Sequence, residues 1–507
     1  MLSIGIKKAI YTCCPDFLHP VLNRVKASEI GYRLAKGVFW STAGAVISRG
    51  LMLAASILVA RILGKTDYGE LGIIQSTVGM FGIFAGFGMG LTATKHVAEF
   101  RKSDPEKAGR IIGLSGLFTL ITGGLMAAGL ALCAPWLAEH TLNAPHLAGM
   151  LRIGAFILFI SALNGAQTGA LSGFEAFRTI AYVNLVVGLI SFPILVGGTY
   201  YAGLTGAVWA LVINLGFNWL LNHLALRKEA RRYGVPFTFK ECRRELPVLW
   251  RFSLPAVLSG AMVGPTTWAC NALLVNQPDG YSEMGIFTAT LVFQNLLVFV
   301  SGMLNAPLLS MISNAGVNIS EKLGTVNILS TWILGVIVAI PLLCFPEIIQ
   351  TLFGANFDTR SFTITFSIVV FYTSVMLYKA GLARVLVSKN LLWWGLFSNI
   401  IWATILIVSA AFFMRWGAAG LSMSFAIAYV LNTFILLPLY YSRNLVPKGT
   451  LFSFESVIIW SILVVLVYLN IANVPLRFRA MAFAPCLVIS GVVFRRLIGM
   501  AFERRLR

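Results

Sequence analysis

The stretch from Lys36 to Tyr68, KGVFWSTAGAVISRGLMLAASILVARILGKTDY, decides the fold class. It is apolar from Gly37 to Leu63, long enough to cross a bilayer, which takes about 20 residues. Arg49 lies near the middle of this run. A cation at that depth costs at least ~2.5–3.5 kcal/mol on insertion scales, so we expect it to face a bundle interior or a wet cavity. The stretch therefore predicts a membrane helix that lines a polar space, with a structural arginine bonded to neighbouring carbonyls as the alternative.

Composition extends this prediction to the whole chain. Of the 507 residues, 58% are hydrophobic and only 11% are charged, whereas a soluble domain has about 25% charged residues. We therefore predict an all-α polytopic membrane protein. The seven cysteines show no metal-ligand spacing, so no metal site is expected.

The net charge of +20 is explained by the distribution of basic residues along the chain. Most of the 39 Lys and Arg residues fall in segments on the same side of the membrane as the amino terminus. By the positive-inside rule this side is cytoplasmic, so both termini are predicted to lie there. The charge indicates contact with anionic membrane lipids and not with nucleic acid.

Apolar runs predict about 14 transmembrane helices, and an internal repeat groups them. Tyr68-Gly-Glu70-Leu-Gly72 recurs as Tyr281-Ser-Glu283-Met-Gly285, 213 residues later. This repeat at an offset of 213 residues predicts two parallel six-helix pseudo-repeats. In transporters such repeats place a substrate site between them near the midplane of the membrane. Two peripheral C-terminal helices are predicted to follow the second repeat. The predicted divisions are a cytoplasmic amphipathic tail (1–36), the first half (37–226), a basic cytoplasmic linker (227–251), the second half (252–441), and two extra helices with a basic tail (442–507).

Uncharged polar residues are the first set of candidate site residues. Asn214, Asn218 and Asn222 recur at i, i+4 and i+8 and form one ridge on a helix, and Asn164 and Gln167 lie in an earlier span. Amides suit a cavity that accommodates sugars, although they are also common interhelical bonding groups at ~0.6 kcal/mol each. Spans seven and eight add a further polar set: Thr266, Thr267, Asn271, Gln294, Asn295 and Asn305.

A second cation within an apolar span is Lys379, for which snorkelling to the inner interface is the alternative interpretation. The 19 acidic residues all fall in tails, loops or span ends, so none is placed to pair with Arg49 or Lys379 at mid-membrane. Two uncompensated cations in a polar cavity indicate an anionic substrate.

One turn carries a family resemblance: Ala60, Arg61, Leu63, Gly64, Tyr68 and Gly69 in the pattern ARxLGxxxYG. This turn and the glycine-rich span after it resemble the bacterial polysaccharide flippases, in particular the Wzx-type O-antigen exporters. These belong to the multidrug/oligosaccharidyl-lipid/polysaccharide exporter superfamily. The resemblance implies transport of an undecaprenyl-diphosphate-linked oligosaccharide across the bacterial inner membrane, for lipopolysaccharide biosynthesis, by alternating access.

The same resemblance assigns roles and partners. Lipid II flippases carry a first-helix arginine that contacts the diphosphate, and Arg49 matches it by helix and depth. We therefore expect Arg49 to bind diphosphate with help from Lys379, while the asparagine ridge tolerates the glycan. Glycosyltransferases and a glycan polymerase are implied as partners, no cofactor is expected, and coupling to a proton or sodium gradient is left open.

Two other functions fit the sequence less well. A multidrug or small-solute antiporter fits poorly, because its cationic substrates would meet buried cations. A membrane glycan polymerase or ligase needs catalytic groups on the outer face, and no nucleophile–base set is apparent in the sequence. We therefore predict a transporter and not an enzyme.

Overall fold

The computed structural model describes residues 29–236, 241–302, 304, 308, 312, 321–389, 391–442 and 453–503. All regular secondary structure within these residues is helical, which confirms the predicted all-α class. Most of the predicted amphipathic tail, together with Asn305 and the last four residues, lies outside the described residues.

In chain order, the α-helices of the described residues are α1 (Glu29–Gly86), α2 (Met89–Phe100), α3 (Pro105–Trp136), α4 (Ala148–Gly173), α5 (Phe177–Arg232), α6 (Leu254–Gly260), α7 (Val263–Val275), α8 (Gly280–Gly302), α9 (Glu321–Cys344), α10 (Pro346–Phe353), α11 (Arg360–Ser388), α12 (Leu392–Phe413), α13 (Gly417–Ser442), α14 (Phe454–Ile471) and α15 (Leu476–Glu503).

Helix α1 is two helical legs joined at Gly64, whose φ of 72° and ψ of 179° are not helical. A left-handed φ carries no steric penalty in glycine, so this residue lets the chain reverse within one position. We call residues 29–63 the first leg and residues 65–86 the second leg. The membrane face that carries Gly64 is called the outer face, following the predicted orientation.

A second break interrupts the glycine-rich segment that follows. Phe87 and Gly88 have φ of 42° and 65°, and α2 begins immediately after them. A Cβ atom on Gly90 would lie 2.9 Å from the carbonyl oxygen of Gly165, so α2 and α4 are in close contact there. The glycine-rich segment thus contains both a kink and a close helix approach.

The membrane-spanning character of the chain is confirmed, while the number of spans remains a prediction. Ten helical stretches of the described residues are long and apolar enough to cross a membrane. Three of these cover 50 residues or more, about twice the length of one span. The apolar run 252–274, the seventh predicted span, is divided between α6 and α7 and contributes no single long helix.

The last two helices pack on one side of the second half. Trp332 of α9 stacks on Trp460 of α14 at 5.0 Å between ring centroids, and it contacts Phe494 of α15 edge-on at 5.5 Å. The outer surfaces of α14 and α15 carry exposed apolar side chains such as Val464 and Val488. These surfaces suit contact with lipid, as expected for peripheral helices.

Candidate functional site

A central cavity of about 460 Å³ lies among α1, α5, α7 and α8. Both predicted halves therefore contribute to its wall. The lining residues recur at helical spacing along both legs of α1 and along α8, so these helices turn one continuous face to the cavity. The lining is Arg49, Met52, Leu53, Ser56, Val59, Tyr68, Leu71, Gly72, Gln75, Ser76, Leu195, Ala207, Leu211, Thr267, Asn271, Met284, Thr288, Leu291, Val292, Asn295 and Leu296.

Arg49 is the one Lys or Arg side chain among these lining residues, and the lining contains no carboxylate. Its side chain is exposed, and its Cζ atom lies 4.9 Å from the ring centroid of Phe299 on α8. Among the described residues, no oxygen atom pairs with its guanidinium. A cation–π contact holds the group weakly, at ~0.5–2 kcal/mol, and leaves its five N–H donors for another ligand.

The rest of the cavity wall combines apolar side chains with uncharged polar ones. Gln75 on the second leg of α1 and Asn295 on α8 are exposed there. Asn271 is buried, and its Nδ2 donates to Ser76 Oγ at 2.8 Å, which joins α7 to α1. These polar groups lie in a largely apolar wall, and they can hydrogen-bond a hydroxyl-bearing ligand as well as water.

Reciprocal hydrogen bonds join the outer ends of the two predicted halves. Arg61 Nε and Nη2 donate to the carbonyl oxygens of Leu352 and Thr351, at 2.6 Å and 2.8 Å. Asn276 Nδ2 donates to the carbonyl oxygen of Thr141 at 2.7 Å. Each acceptor lies at the C-terminal end of a short outer helical segment, where backbone carbonyls have no partner within the helix.

Close glycine packing reinforces this outer contact. A Cβ atom on Gly69 would lie 1.9 Å from the carbonyl oxygen of Tyr281, and one on Gly285 would lie 1.8 Å from that of Lys65. Only glycine permits this approach, so the second leg of α1 and the start of α8 meet backbone to backbone. The central cavity is therefore closed toward the outer face.

The family turn motif lies at this closure. Arg61 donates the hydrogen bonds to α10, Gly64 provides the chain reversal, and Gly69 contacts Tyr281. Tyr68 lines the cavity on the inner side of these contacts. Ala60 is fully buried and Leu63 packs against the core.

The predicted asparagine ridge lies at the contact between α4 and α5 and does not line the central cavity. Asn222 Nδ2 donates to Asn218 Oδ1 at 2.8 Å and to Asn164 Oδ1 at 3.3 Å. Asn164 Nδ2 donates to a backbone carbonyl of α5 at 3.1 Å. Asn214 Oδ1 instead accepts from Ser191 Oγ at 2.5 Å, within α5 and across the break in that helix at Ala202 and Gly203. In this conformation Asn164 and Asn222 join α4 to α5, and Asn214 joins the two parts of α5.

Gln167 belongs to the same α4–α5 contact. Its Nε2 lies 3.5 Å from His223 Nδ1, and the flipped amide would instead bond Trp219 through both its oxygen and its nitrogen, at 3.1 Å. Either orientation ties Gln167 to α5 and not to the central cavity.

Lys379 lies inside the second half, between α11 and α13, and is also absent from the cavity lining. Its Nζ donates to Asn432 Oδ1 and lies 5.8 Å from the ring centroid of Tyr429. Asn432 Nδ2 in turn donates to the carbonyl oxygen of Ser398 at 2.8 Å. The expectation that Lys379 and Arg49 face one cavity is not met in this conformation, because an amide of the same half holds the lysine.

Sequence reasoning did not single out three features of this region. Arg384 is a further buried cation, whose Nε donates to Asn327 Oδ1 at 2.7 Å. Phe299 contacts Arg49, and Gln75 faces the cavity. The available signal for Gln75 was the polar triplet Gln75-Ser76-Thr77 in the otherwise apolar segment 71–86. The described residues contain no cluster of three or more His, Cys, Asp or Glu side chains placed to hold a metal ion.

The family model described as polysaccharide biosynthesis protein matches residues 34–312, more than half of the chain. The EPS I polysaccharide export inner membrane protein EpsE of Ralstonia nicotianae is 24% identical over 257 residues, which are 50% of this chain and 58% of that protein. The lipid III flippase of Escherichia coli K12 is 23% identical over 185 residues, 32% of this chain and 44% of that protein. The chain thus spans about half the length of these relatives.

Solved structures share the fold over most of the chain. The lipid II flippase MurJ, in an inward closed conformation, has a TM-score of 0.65 at 14% identity and covers 92% of this chain and 99% of its own. An inward-facing multidrug resistance MATE family transporter of the MOP superfamily has a TM-score of 0.61 at 16% identity, with 80% and 99% covered. At such identities the similarity concerns the fold alone. These relatives and neighbours are an export protein, flippases and a transporter, in agreement with the predicted transporter.

Proposed function

The chain belongs to the polysaccharide biosynthesis protein family, and on that basis we propose that it is a lipid-linked oligosaccharide flippase. The substrate is an undecaprenyl-diphosphate-linked oligosaccharide, which moves from the cytoplasmic to the periplasmic leaflet of the inner membrane. Both termini lie in the cytoplasm. The observation that carries the proposal is Arg49, a cation with no carboxylate partner among the described residues, in a cavity between the two halves.

The physical argument concerns the cost of moving charge through lipid. A single charge at the bilayer centre costs at least ~2.5–3.5 kcal/mol, and a diphosphate carries more than one. A guanidinium donates paired hydrogen bonds to phosphate oxygens and stabilises them by charge, so it lowers this cost. The weak contact of Arg49 with Phe299 is replaced without breaking an ion pair.

Transport follows by alternating access. In the conformation described, contacts such as Arg61 with Leu352 and Gly69 with Tyr281 close the outer face. Substrate enters from the cytoplasmic side, the diphosphate binds Arg49, and the outer contacts then separate. The isoprenoid chain stays in lipid throughout, because only the headgroup needs a polar path.

The remaining predicted site residues receive secondary roles. Arg49, which lines the cavity, is the diphosphate ligand in this proposal, whereas Lys379 stabilises the second half through Asn432. Asn222 of the asparagine ridge joins α5 to Asn164 of α4. Glycosyltransferases supply the lipid-linked substrate, and a polymerase acting at the outer face consumes it.

The antiporter alternative is disfavoured by the same cavity. A cationic drug is repelled by a cation in its site and gains most from a carboxylate, and the lining contains an arginine and no carboxylate. The two functions are distinguished by reconstituting the protein into liposomes and measuring translocation of a fluorescent undecaprenyl-diphosphate oligosaccharide beside uptake of a cationic dye. The proposal expects translocation of the lipid and no dye uptake; dye uptake without lipid translocation would contradict it.

A further inference from the structure

Two amides in the central cavity differ from the other amides described in the bundle. Gln75 and Asn295 are exposed to the cavity, and neither has a hydrogen-bond partner among the described residues. Asn164 and Asn222, by contrast, are bonded to each other. Amides inside a membrane bundle generally find a partner on a neighbouring helix. Two that face an open cavity are therefore available to a ligand.

The two amides lie on opposite halves of the molecule. Gln75 belongs to the second leg of α1, and Asn295 belongs to α8. Each amide provides two N–H donors and one carbonyl acceptor. A ligand that bonds both would bridge the two halves across the cavity.

A third amide presents an acceptor without a partner. Asn271 is 3% exposed and lines the same cavity. Its Nδ2 donates to Ser76, but its Oδ1 accepts no hydrogen bond from the described residues. A buried acceptor left unpaired destabilises the protein, and a hydroxyl donor from a ligand would relieve that penalty.

The chemistry of these groups specifies the part of the ligand that they meet. They are uncharged and combine donors with acceptors, as do sugar hydroxyls and acetamido groups. Counted from the reversal at Gly64, Gln75 lies about one helical turn closer to the outer face than Arg49. Asn271 bonds to Ser76 and so lies at the depth of Gln75. Asn295 lies one helical turn before Phe299, the residue that contacts the Arg49 guanidinium, on the side of α8 toward its start at Gly280. The three amides thus lie on the outer side of the guanidinium.

We propose that Gln75, Asn295 and Asn271 form a subsite for the sugar residue attached directly to the diphosphate. This inference rests on the proposed function, since it takes Arg49 as the diphosphate ligand. The transporter then selects its substrate by the first sugar as well as by the diphosphate. A site built to hydrogen-bond a substrate discriminates strongly against an analogue that lacks the bonding group.

The experiment measures binding of defined lipids to the purified protein in nanodiscs. The probes are undecaprenyl diphosphate alone and the same lipid carrying one glucose, galactose or N-acetylglucosamine. The variants are Gln75→Leu, Asn295→Leu and Arg49→Ala, with Gln75→Asn as the conservative variant. Gln277→Leu, which changes a half-buried amide outside the lining of the central cavity, is the matched control. Thermal unfolding of each variant reports whether it is folded.

The subsite predicts that wild-type protein binds at least one glycosylated probe about tenfold more tightly than the bare lipid. Gln75→Leu and Asn295→Leu should abolish this preference and leave binding of the bare lipid unchanged, while Gln75→Asn retains part of it. The control should behave as wild type. Absence of any sugar preference, or equal weakening of bare and glycosylated lipid by both leucine variants, would overturn the subsite. A different result would contradict the proposed function itself. In that case the bare lipid would not bind, or it would bind Arg49→Ala as tightly as it binds wild-type protein.

Discussion

The Nε atom of Arg61 lies 2.6 Å from the carbonyl oxygen of Leu352, so a residue of α1 caps the C-terminal end of α10. The two residues belong to opposite predicted halves. Asn276 repeats the relationship in reverse, because it donates to Thr141 at the end of an outer segment of the first half. A cation at a helix C-terminus also interacts favourably with the helix dipole. The arginine of the family turn motif therefore holds the outer face closed.

The first prediction concerns this closure. Hydrogen bonds from a charged donor at an exposed site contribute on the order of 1 kcal/mol, so Arg61→Ala combined with Asn276→Ala should shift the equilibrium toward outer opening about tenfold. The measurement is labelling of Ser56→Cys by a membrane-impermeant thiol reagent from the outer side, in a cysteine-free background. Ser56 lines the cavity.

Arg360→Ala is the matched control for that prediction. Arg360 Nη2 donates to the carbonyl oxygen of Ile471 at 3.2 Å, a similar outer contact that lies wholly within the second half and its appended helices. Labelling should not change in this variant. An equal increase in both variants would mean that the outer contacts affect general stability and not the closure between halves.

The second prediction concerns the glycine contact at the same face. Gly285→Ala places a methyl group where the carbonyl oxygen of Lys65 would be 1.8 Å away, so α8 and the second leg of α1 must separate. The variant should lower the thermal unfolding temperature and raise outer labelling of Ser56→Cys. Gly216→Ala is the control, since no atom lies within 4 Å of its added Cβ and alanine is the better helix former. An unchanged Gly285→Ala protein would refute the close contact.

The third prediction concerns Lys379. Asn432→Leu removes the amide acceptor of the Lys379 ammonium group. A buried charged donor that loses its partner lowers the free energy of unfolding by ~1–3 kcal/mol or more. We expect a lower unfolding temperature for Asn432→Leu and recovery in the double variant Lys379→Met/Asn432→Leu. Lys379→Met alone should bind bare undecaprenyl diphosphate within about twofold of wild type. A tenfold loss of binding would instead assign Lys379 to the diphosphate site.

The fourth prediction separates structural amides from ligand-binding amides. Asn222→Leu removes bonds between α4 and α5, each contributing ~0.6 kcal/mol in a membrane protein, so it should reduce stability slightly. Translocation of lipid-linked oligosaccharide by the folded variant should remain close to wild type. Loss of translocation at normal stability would restore the asparagine ridge as a glycan contact.

Length and hydropathy were sufficient to predict the fold class, because lipid tolerates only long apolar helices or closed barrels. The position of Arg49 in a cavity could be predicted for a related reason. A cation in an apolar helix is too costly to face lipid, so its direction follows from energy alone. The repeated Tyr-x-Glu-x-Gly segment likewise marked the two places where helices meet backbone to backbone at the outer face.

The amides could not be sorted from sequence. Gln75 and Asn222 have the same chemistry and both lie in apolar helices, yet one faces the cavity and the other is paired. The difference depends on how each helix is rotated against its neighbours. Lys379 was uncertain for the same reason, since its partner Asn432 is on another helix. The acceptor of Arg61 lies 291 residues away, and nothing local in the sequence indicates it.

The central claim, that Arg49 binds the substrate diphosphate during translocation, is tested most directly in proteoliposomes. The measurement is the initial rate at which Arg49→Ala, Arg49→Lys and wild-type protein translocate undecaprenyl-diphosphate oligosaccharide, at equal amounts of folded protein. Loss of a charge-assisted, paired contact with phosphate predicts a rate reduced at least tenfold in Arg49→Ala, and an intermediate rate in Arg49→Lys, which keeps the charge without the paired geometry. Translocation by Arg49→Ala at the wild-type rate would contradict the account.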